Sequence, residues 1–134
     1  MAMAILSIMN YIDFSFRAVC KAIDHFSTGC KNIFIPIKPF YSYDLIVLTK
    51  NDEMLRVKVA RTESKAPSGS YVVNLRKSGG YDNSKETKAP FESSGCDIVC
   101  VISPENIYVI PSCEINQKRA ISLSMFEEFK YIPS

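Results

Sequence analysis

Tyr43-Asp44-Leu45-Ile46-Val47 and Leu55-Arg56-Val57-Lys58-Val59-Ala60 are the two stretches that decide the fold of this chain. A short polar segment, Lys50-Asn51-Asp52-Glu53, joins them. Apolar runs of this length with a turn between them are typical of a β-hairpin. We therefore predict strands over Asp44 to Thr49 and Met54 to Arg61. The hairpin carries an acid, Asp44, on its first strand and a lysine, Lys58, on its second.

Around the hairpin, the apolar pattern predicts further elements. Apolar residues recur every three or four positions before Ser27-Thr28-Gly29, which is the period of one helical face followed by a stop signal. A run that is apolar on both faces, Asp97 to Ile102, is typical of a covered central strand. The tail from Ile121 to Tyr131 is compatible with a strand or a helix. The predicted elements are a helix at Tyr11 to Phe26 and further strands at Asn32 to Pro36, Ser70 to Leu75, Asp97 to Ile102 and Ile107 to Pro111.

Length and composition indicate one globular domain. The 134 residues are 47% hydrophobic and 22% charged, which is enough apolar material for a single core. We treat residues 1–134 as that domain, with an N-terminal arm at 1–9 and a polar loop at 76–95. The net charge of +2 gives no global polybasic signal, so a nucleic-acid contact has to rest on local patches.

Cysteine usage and the N-terminal sequence bear on the compartment. Five cysteines are present, an odd number, without paired spacing and without a secretory leader. Reduced thiols and a cytoplasmic location are therefore expected. The apolar stretch at 1–9 is too short to span a membrane, and no membrane partner is predicted.

The order and spacing of several segments resemble a known family. Phe34-Ile35-Pro36, Tyr43 to Val47, Leu55-Arg56-Val57, Gly69 to Val73, Asp97 to Val101 and Ile107 to Pro111 together resemble the small PD-(D/E)xK endonucleases associated with group I introns. The resemblance covers roughly residues 10–124. It implies a restriction-endonuclease-like α/β domain, in which helices flank a mixed central β-sheet.

The resemblance also implies an activity. Members of this family are homing endonucleases that cut double-stranded DNA with Mg²⁺, commonly as symmetric homo-oligomers such as dimers or tetramers. Asp44 matches the metal-binding aspartate of the family. An aspartate in an apolar strand is costly to bury unless it binds a metal, is hydrogen-bonded or sits at a solvent-facing end. Asp44 as a cap on the preceding loop is therefore the alternative interpretation.

The second strand departs from the family pattern Val-(Gln/Glu)-Val-Lys-Thr. We place Lys58 at the ligand position and Ala60 at the lysine position. A lysine in place of a ligand repels Mg²⁺ and attracts Asp44, so an Asp44–Lys58 ion pair is expected where the metal would lie. Natural loss of activity, deliberate disabling, and transfer of the lysine role to Lys58 or Arg61 are the competing explanations. Impaired cleavage is the favoured one. In a regular strand, Arg61 points to the opposite face from Lys58 and Ala60.

The remaining candidate residues are an acid and a set of cations. Asp13 is the nearest match to the acid that the family takes from its first helix, although a favourable interaction with the helix dipole is the favoured role for it. Local cations near glycine and serine can follow DNA phosphates, and they also simply keep loops soluble. The predicted DNA contacts are Arg61, Lys65, Arg76, Lys77, Lys85 and Lys88.

Two hypotheses about function follow. The first is a homing-type DNA endonuclease with Mg²⁺-dependent chemistry and an altered or inactivated site. The second is a catalytically silent nuclease-fold protein that binds nucleic acid or a protein partner. A metal-reaching acid near Asp44 would distinguish them.

Overall fold

The computed structural model describes residues 17–37, 42–75 and 91–132. Within these ranges the chain forms one α-helix, seven β-strands and three short 3-10 helices. The helix, α1, covers residues 17–27 of the described chain. The 3-10 helices cover Ser93–Gly95, Ser112–Ile115 and Leu123–Phe129. The strands are β1 (Cys30–Phe34), β2 (Leu45–Thr49), β3 (Met54–Arg61), β4 (Val72–Asn74), β5 (Ile98–Ile102), β6 (Ile107–Pro111) and β7 (Ala120–Ser122).

Five of the strands form one mixed sheet in the order β1-β2-β3-β5-β6. The neighbours β3 and β5 run parallel, and the other neighbouring pairs are antiparallel. The predicted hairpin is present as β2 and β3. Its turn contains Asp52 at a φ of 66°, a conformation that aspartate tolerates better than most residues. The Asp52 backbone N–H donates to the Thr49 carbonyl oxygen at 3.0 Å and closes the turn.

The sheet buries both of its faces. On one face, Ala18, Ala22 and Phe26 of α1 pack with apolar side chains that include Leu45 and Val57. These helix positions are four residues apart, so they share one stripe. Ser27, Thr28 and Gly29 end the helix as predicted, because the structure has a turn at residues 28–29.

The second face is covered by a separate ribbon of β4 and β7, together with irregular chain. Val73 of β4 and Ile121 of β7 are paired in this ribbon and pack in one apolar cluster with Val99 and Val101 of β5. Four of the five residues of β5 are buried, as the sequence predicted for a central strand. The predicted fold class, a single α/β domain with a mixed central sheet, is confirmed.

Three details differ from the sequence-based expectations. The strand predicted over Ser70 to Leu75 exists as Val72–Asn74, but it pairs with β7 and lies outside the main sheet. The ambiguous tail holds both the three-residue strand β7 and the 3-10 helix at Leu123–Phe129. In the described chain, α1 flanks only one face of the sheet, because the ribbon occupies the other.

Several predicted features lie outside the described residues, including the arm at 1–9, Asp13 and most of the polar loop at 76–95. The described end of that loop is structured, since Phe91 is buried in the cluster beneath the ribbon and Ser93–Gly95 form a 3-10 helix. In the described parts of the chain, no helix is both long enough and apolar enough to cross a membrane.

Candidate active site

Asp44 and Lys58 face each other where the β2–β3 hairpin opens. Leu45 pairs with Val57 in the antiparallel ladder, so the preceding residue, Asp44, stands opposite Lys58. The Lys58 Nζ atom lies 3.7 Å from Asp44 Oδ2. Their side chains are 32% and 27% exposed, so the pair is reachable from solvent but partly shielded from it. The expected Asp44–Lys58 ion pair is present.

The backbone of β3 also holds Asp44. The Val59 backbone N–H donates to Asp44 Oδ2 at 2.7 Å. The Asp44 backbone N–H in turn donates to the Val57 carbonyl oxygen at 2.8 Å. Because β2 begins only at Leu45, the Asp44 carboxylate takes the place of a strand partner for the Val59 amide. Asp44 is therefore a partly buried, hydrogen-bonded acid whose carboxylate bonds to the backbone of β3.

A second ion pair, between Arg56 and Asp97, lies beside the first. Arg56 is two residues before Lys58, so both side chains leave β3 on the same face. Asp97 Oδ2 accepts the backbone N–H of Arg56 at 2.7 Å and the Arg56 Nε at 3.2 Å, and Asp97 Oδ1 accepts an Arg56 terminal nitrogen at 3.4 Å. These hydrogen bonds lower the pKa of the Asp97 carboxyl from its ordinary value.

Asp97 is not among the site residues predicted from the sequence. It enters the buried strand β5 in the way that Asp44 enters β2, as an acid immediately before an apolar run. That signal was available in the sequence. The parallel pairing of β3 with β5, which brings Asp97 to Arg56, was not.

Ala60 has apolar surroundings. It stands opposite Val101 in the parallel ladder and packs against the cluster that contains Val99 and Val101. Lys58, two residues earlier, is the residue of this pair that reaches Asp44. The catalytic roles assigned to Asp44, Lys58 and Ala60 remain predictions. Lys58 lies beside an acid, whereas Ala60 packs against apolar side chains.

The described residues do not fit a magnesium site. Mg²⁺ requires near-octahedral coordination by oxygens, with carboxylates among its usual protein ligands. Asp44 Oδ2 already accepts an amide N–H beside an ammonium group, and both Asp97 oxygens contact Arg56. In residues 17–37, 42–75 and 91–132, no group of three or more His, Cys, Asp or Glu side chains is arranged to hold a metal. Asp13, the other predicted ligand, lies outside these ranges.

The structure describes two of the six predicted DNA contacts, and it separates them. Arg61 ends β3 and forms an ion pair with Glu63. As predicted, its side chain lies on the opposite face from Lys58, since it lines a cavity together with Ala18 of α1. Lys65 lies over the Tyr71 ring, 4.9 Å from the ring centre, next to the ribbon. The other predicted contacts, Arg76, Lys77, Lys85 and Lys88, fall outside the described residues.

Comparisons with known proteins identify the fold. No protein-family model matches the sequence, and no curated protein is significantly similar to it. The fold is similar to the solved structure of a bacterial homing endonuclease, I-Ssp6803I, with a TM-score of 0.60. The similarity covers 83% of this chain and 74% of that chain at 20% sequence identity. The likeness establishes a homing-endonuclease-like fold for this chain.

Proposed function

We propose that this protein is a double-stranded-DNA-binding protein of the homing-endonuclease type, with Asp44 and Lys58 as the acid and the lysine of an impaired PD-(D/E)xK site. The observation that carries the proposal is the 3.7 Å approach of Lys58 Nζ to Asp44 Oδ2, at opposite positions of two adjacent strands, in a fold similar to that of a homing endonuclease. A lysine beside an acid can orient water and offset the charge of a phosphate, which are the roles that phosphodiester hydrolysis asks of it.

The proposal moves the family pattern two residues along β3. Laid onto Leu55-Arg56-Val57-Lys58-Val59, the pattern Val-(Gln/Glu)-Val-Lys-Thr places its lysine at Lys58 and its ligand at Arg56. The surroundings support this alignment, since Lys58 contacts Asp44 and Ala60 packs in an apolar cluster. In the earlier alignment a lysine replacing Ala60 would have to displace apolar contacts.

The same alignment explains why cleavage would be weak. Arg56 brings a permanent positive charge to the position where the family carries a ligand oxygen. The Asp97 carboxylate holds this guanidinium in place, because it accepts hydrogen bonds from Arg56 Nε at 3.2 Å and from a terminal nitrogen at 3.4 Å. A cation fixed there both removes a ligand and repels Mg²⁺. We therefore expect that the unmodified chain does not hold Mg²⁺ at this position, and DNA binding is the property expected to persist.

Cleavage of supercoiled plasmid and linear duplex DNA with Mg²⁺ or Mn²⁺ tests the proposal. Four proteins are compared: the unmodified chain, Arg56→Gln, Arg56→Gln with Asp44→Asn, and the double variant Lys58→Gln with Ala60→Lys. Removing one unit charge next to a metal changes its binding by more than 1 kcal/mol, so Arg56→Gln should cut at least about tenfold faster than the unmodified chain. Adding Asp44→Asn should abolish that gain.

The outcomes distinguish between the two alignments of the family pattern, and they also test the proposed function. Cleavage by Lys58→Gln with Ala60→Lys, but not by Arg56→Gln, would show that the original alignment was right. Strong cleavage by the unmodified chain would show that Arg56 does not impair the site. If the unmodified chain does not bind duplex DNA in a metal-free gel-shift assay, the proposed function is refuted.

A homo-oligomer, as a dimer or tetramer, and a cytoplasmic location remain parts of the proposal. Each chain offers one Asp44–Lys58 site, and two copies are needed to act on both strands of a duplex at once. Phe34, at the end of the edge strand β1, and Ile35, which follows it, are 43% and 52% exposed, which supports association. The odd number of cysteines, five, without paired spacing supports a reducing compartment. Light scattering coupled to size-exclusion chromatography measures the oligomer directly.

A further inference from the structure

Gly95 lies very close to the segment that leads into Asp44. A Cβ atom at Gly95 would lie 2.8 Å from Ser42 Cβ and 2.9 Å from Ser42 Oγ. Carbon atoms in contact are about 3.5–4.0 Å apart, so any side chain at this position would overlap with Ser42. The φ angle of Gly95 lies outside the left-handed region. The close approach of two segments, and not the backbone conformation, is therefore what requires a glycine here.

The overlap could not be relieved by a side-chain rotation alone. Ser42 Oγ can rotate away, but the position of Ser42 Cβ is fixed by the backbone. A side chain at Gly95 would therefore force one of the two backbone segments to move. The movement needed to restore an ordinary carbon–carbon contact from 2.8 Å is about 0.7–1.2 Å.

The Gly95 side of this contact is held more firmly than the Ser42 side. The 3-10 helix that ends at Gly95 is tied down at its start, where the Ser93 backbone N–H donates to Asn116 Oδ1 at 2.8 Å. The residue after Gly95, Cys96, is only 1% exposed. Among the described residues, no hydrogen bond joins Ser42 to another residue. The movement is therefore expected on the Ser42 side.

A movement of Ser42 would reach the carboxylate of Asp44, two residues later. Asp44 Oδ2 accepts the Val59 backbone N–H at 2.7 Å and lies 3.7 Å from Lys58 Nζ. Hydrogen bonds from an N–H group to an oxygen are normally no longer than about 3.2 Å. A displacement of about 1 Å is therefore enough to break the contact with Val59 and to change the distance between the acid and the lysine.

We propose that Gly95 is a positioning residue of the candidate site: its missing side chain lets Ser42 pack directly against the 3-10 helix, and this packing holds the Asp44 carboxylate against Val59 and Lys58. For its effect on cleavage, the inference rests on the proposed function. Gly95 acts through the chain that precedes Asp44 and has no contact with a substrate.

The test compares the hydrogen exchange of two backbone amides by NMR. The N–H groups of Val59 and Arg56 each donate to a carboxylate oxygen at 2.7 Å, the first to Asp44 and the second to Asp97. In Gly95→Ala, the Val59 amide should exchange at least about tenfold faster than in the unmodified chain, because it loses its acceptor. The Arg56 amide should keep its rate, because Asp97 stays in place.

Two further variants are matched to Gly95→Ala. The double variant Ser42→Gly with Gly95→Ala removes both overlapping atoms and leaves the Cα atom of residue 42 at 3.7 Å from the new Cβ, which is an ordinary contact. Exchange of the Val59 amide should therefore return to the rate of the unmodified chain. Gly29→Ala adds the same methyl group where no atom lies within 4 Å, so it should leave both amides unchanged.

Three results would overturn the inference. Faster exchange of Val59 and Arg56 by the same factor would mean that Gly95→Ala loosens the whole domain. Faster exchange of Arg56 alone would mean that Gly95 positions Asp97 and not Asp44. Fast exchange of Val59 that persists in the double variant would exclude the overlap with Ser42 as the cause. If Gly95→Ala does not fold, failure of the double variant to restore folding has the same meaning.

Cleavage of supercoiled plasmid by proteins that carry Arg56→Gln tests the consequence for the site. Adding Gly95→Ala should slow cleavage at least about tenfold, because small misplacements of a reacting group are costly. Adding Ser42→Gly to that protein should restore the rate. Cleavage that is unchanged by Gly95→Ala would refute the positioning role. If Arg56→Gln alone does not cut, the proposed site fails, and the exchange of the Val59 amide still decides whether Gly95 positions Asp44.

Discussion

The contact between Asp97 and Arg56 leads to a quantitative prediction about stability. Asp97 accepts two kinds of hydrogen bond from Arg56, one from the backbone N–H at 2.7 Å and weaker ones from the guanidinium at 3.2 and 3.4 Å. A hydrogen bond from an amide to a charged group contributes about 1.5–3 kcal/mol. The side-chain ion pair is 41% and 36% exposed, and pairs this exposed contribute about 0–1 kcal/mol.

The backbone hydrogen bond and the ion pair together predict a different loss of unfolding free energy for each of three variants. Asp97→Ala removes both kinds of bond and leaves the Arg56 amide without its acceptor, so it should lower the free energy of unfolding by about 2–3 kcal/mol. Asp97→Asn keeps an oxygen for that amide and should cost only about 1 kcal/mol. Arg56→Gln loses the ion pair and keeps the backbone hydrogen bond, so it should cost about 0.5 kcal/mol.

Urea unfolding followed by circular dichroism measures this series, and the double variant Asp97→Ala with Arg56→Gln completes a cycle. The coupling energy between the two side chains should stay below about 1 kcal/mol. Equal losses for Asp97→Asn and Asp97→Ala would contradict the reasoning, because they would make the ion pair, and not the backbone hydrogen bond, the dominant contribution.

The pH dependence of stability follows from the same contact. Hydrogen bonding to Arg56 lowers the pKa of Asp97 in the folded state below the ordinary value of 3.8. A carboxyl with a depressed folded pKa stabilises the protein above its unfolded pKa, and this contribution is lost as pH falls through the folded pKa. The loss of unfolding free energy below pH 3.8 should therefore be smaller in Asp97→Asn than in the unmodified chain. An identical acid profile for both proteins would rule out this contribution.

Two further predictions concern a turn and the thiols. Gly69 has a φ of +89°, which disfavours side chains, so Gly69→Ala should lower the free energy of unfolding by about 1–2 kcal/mol. Gly29→Ala should change this free energy little, because Gly29 has no positive φ and no heavy atom lies within 4 Å of the new Cβ. Equal effects of the two variants in urea unfolding would refute the backbone explanation. Burial raises the pKa of the Cys100 thiol to about 12. In the native protein the exposed Cys20 and Cys113 should therefore react first with a disulfide reagent, and Cys100 should react only on unfolding. Rapid labelling of Cys100 in mass spectra of the native protein would contradict its burial.

Local sequence patterns predicted most strands of the central sheet, but they did not predict which distant strands pair with each other. The β2–β3 hairpin follows from alternation and a tight polar turn, and β5 follows from an apolar run long enough for one strand. The ribbon of β4 and β7 joins segments that are far apart in the sequence and only three residues long each. Such short strands carry almost no periodic signal, so their pairing depends on the tertiary core they cover.

The contacts of the candidate site were likewise predicted from the sequence only where the residues are close in the chain. Asp44 and Lys58 are neighbours across one hairpin, so the alternation of a single strand pair was enough to predict their ion pair. Asp97 reaches Arg56 from a position 41 residues away, through the parallel pairing of β3 and β5. No local pattern links these two residues. The sequence therefore predicted the contact between Asp44 and Lys58, but it did not predict that Arg56, beside them, pairs with an acid of its own.

The contacts of Asp44 give it a structural role that is compatible with the proposed catalytic one. Its Oδ2 atom satisfies the Val59 amide, which is a structural role, while the same atom faces Lys58, which is the arrangement expected of a nuclease acid and lysine. Asp44→Asn can keep an acceptor for the amide, so it should remove the charge without unfolding the hairpin. Lys58 alone does not exclude a metal, since the family pattern also carries a lysine beside its aspartate. What distinguishes this chain is Arg56, locked to Asp97 on the same face. If the proposed alignment holds, impaired cleavage would follow from one cation at one position, and Asp44 and Lys58 would still supply the acid and the lysine of the proposed site.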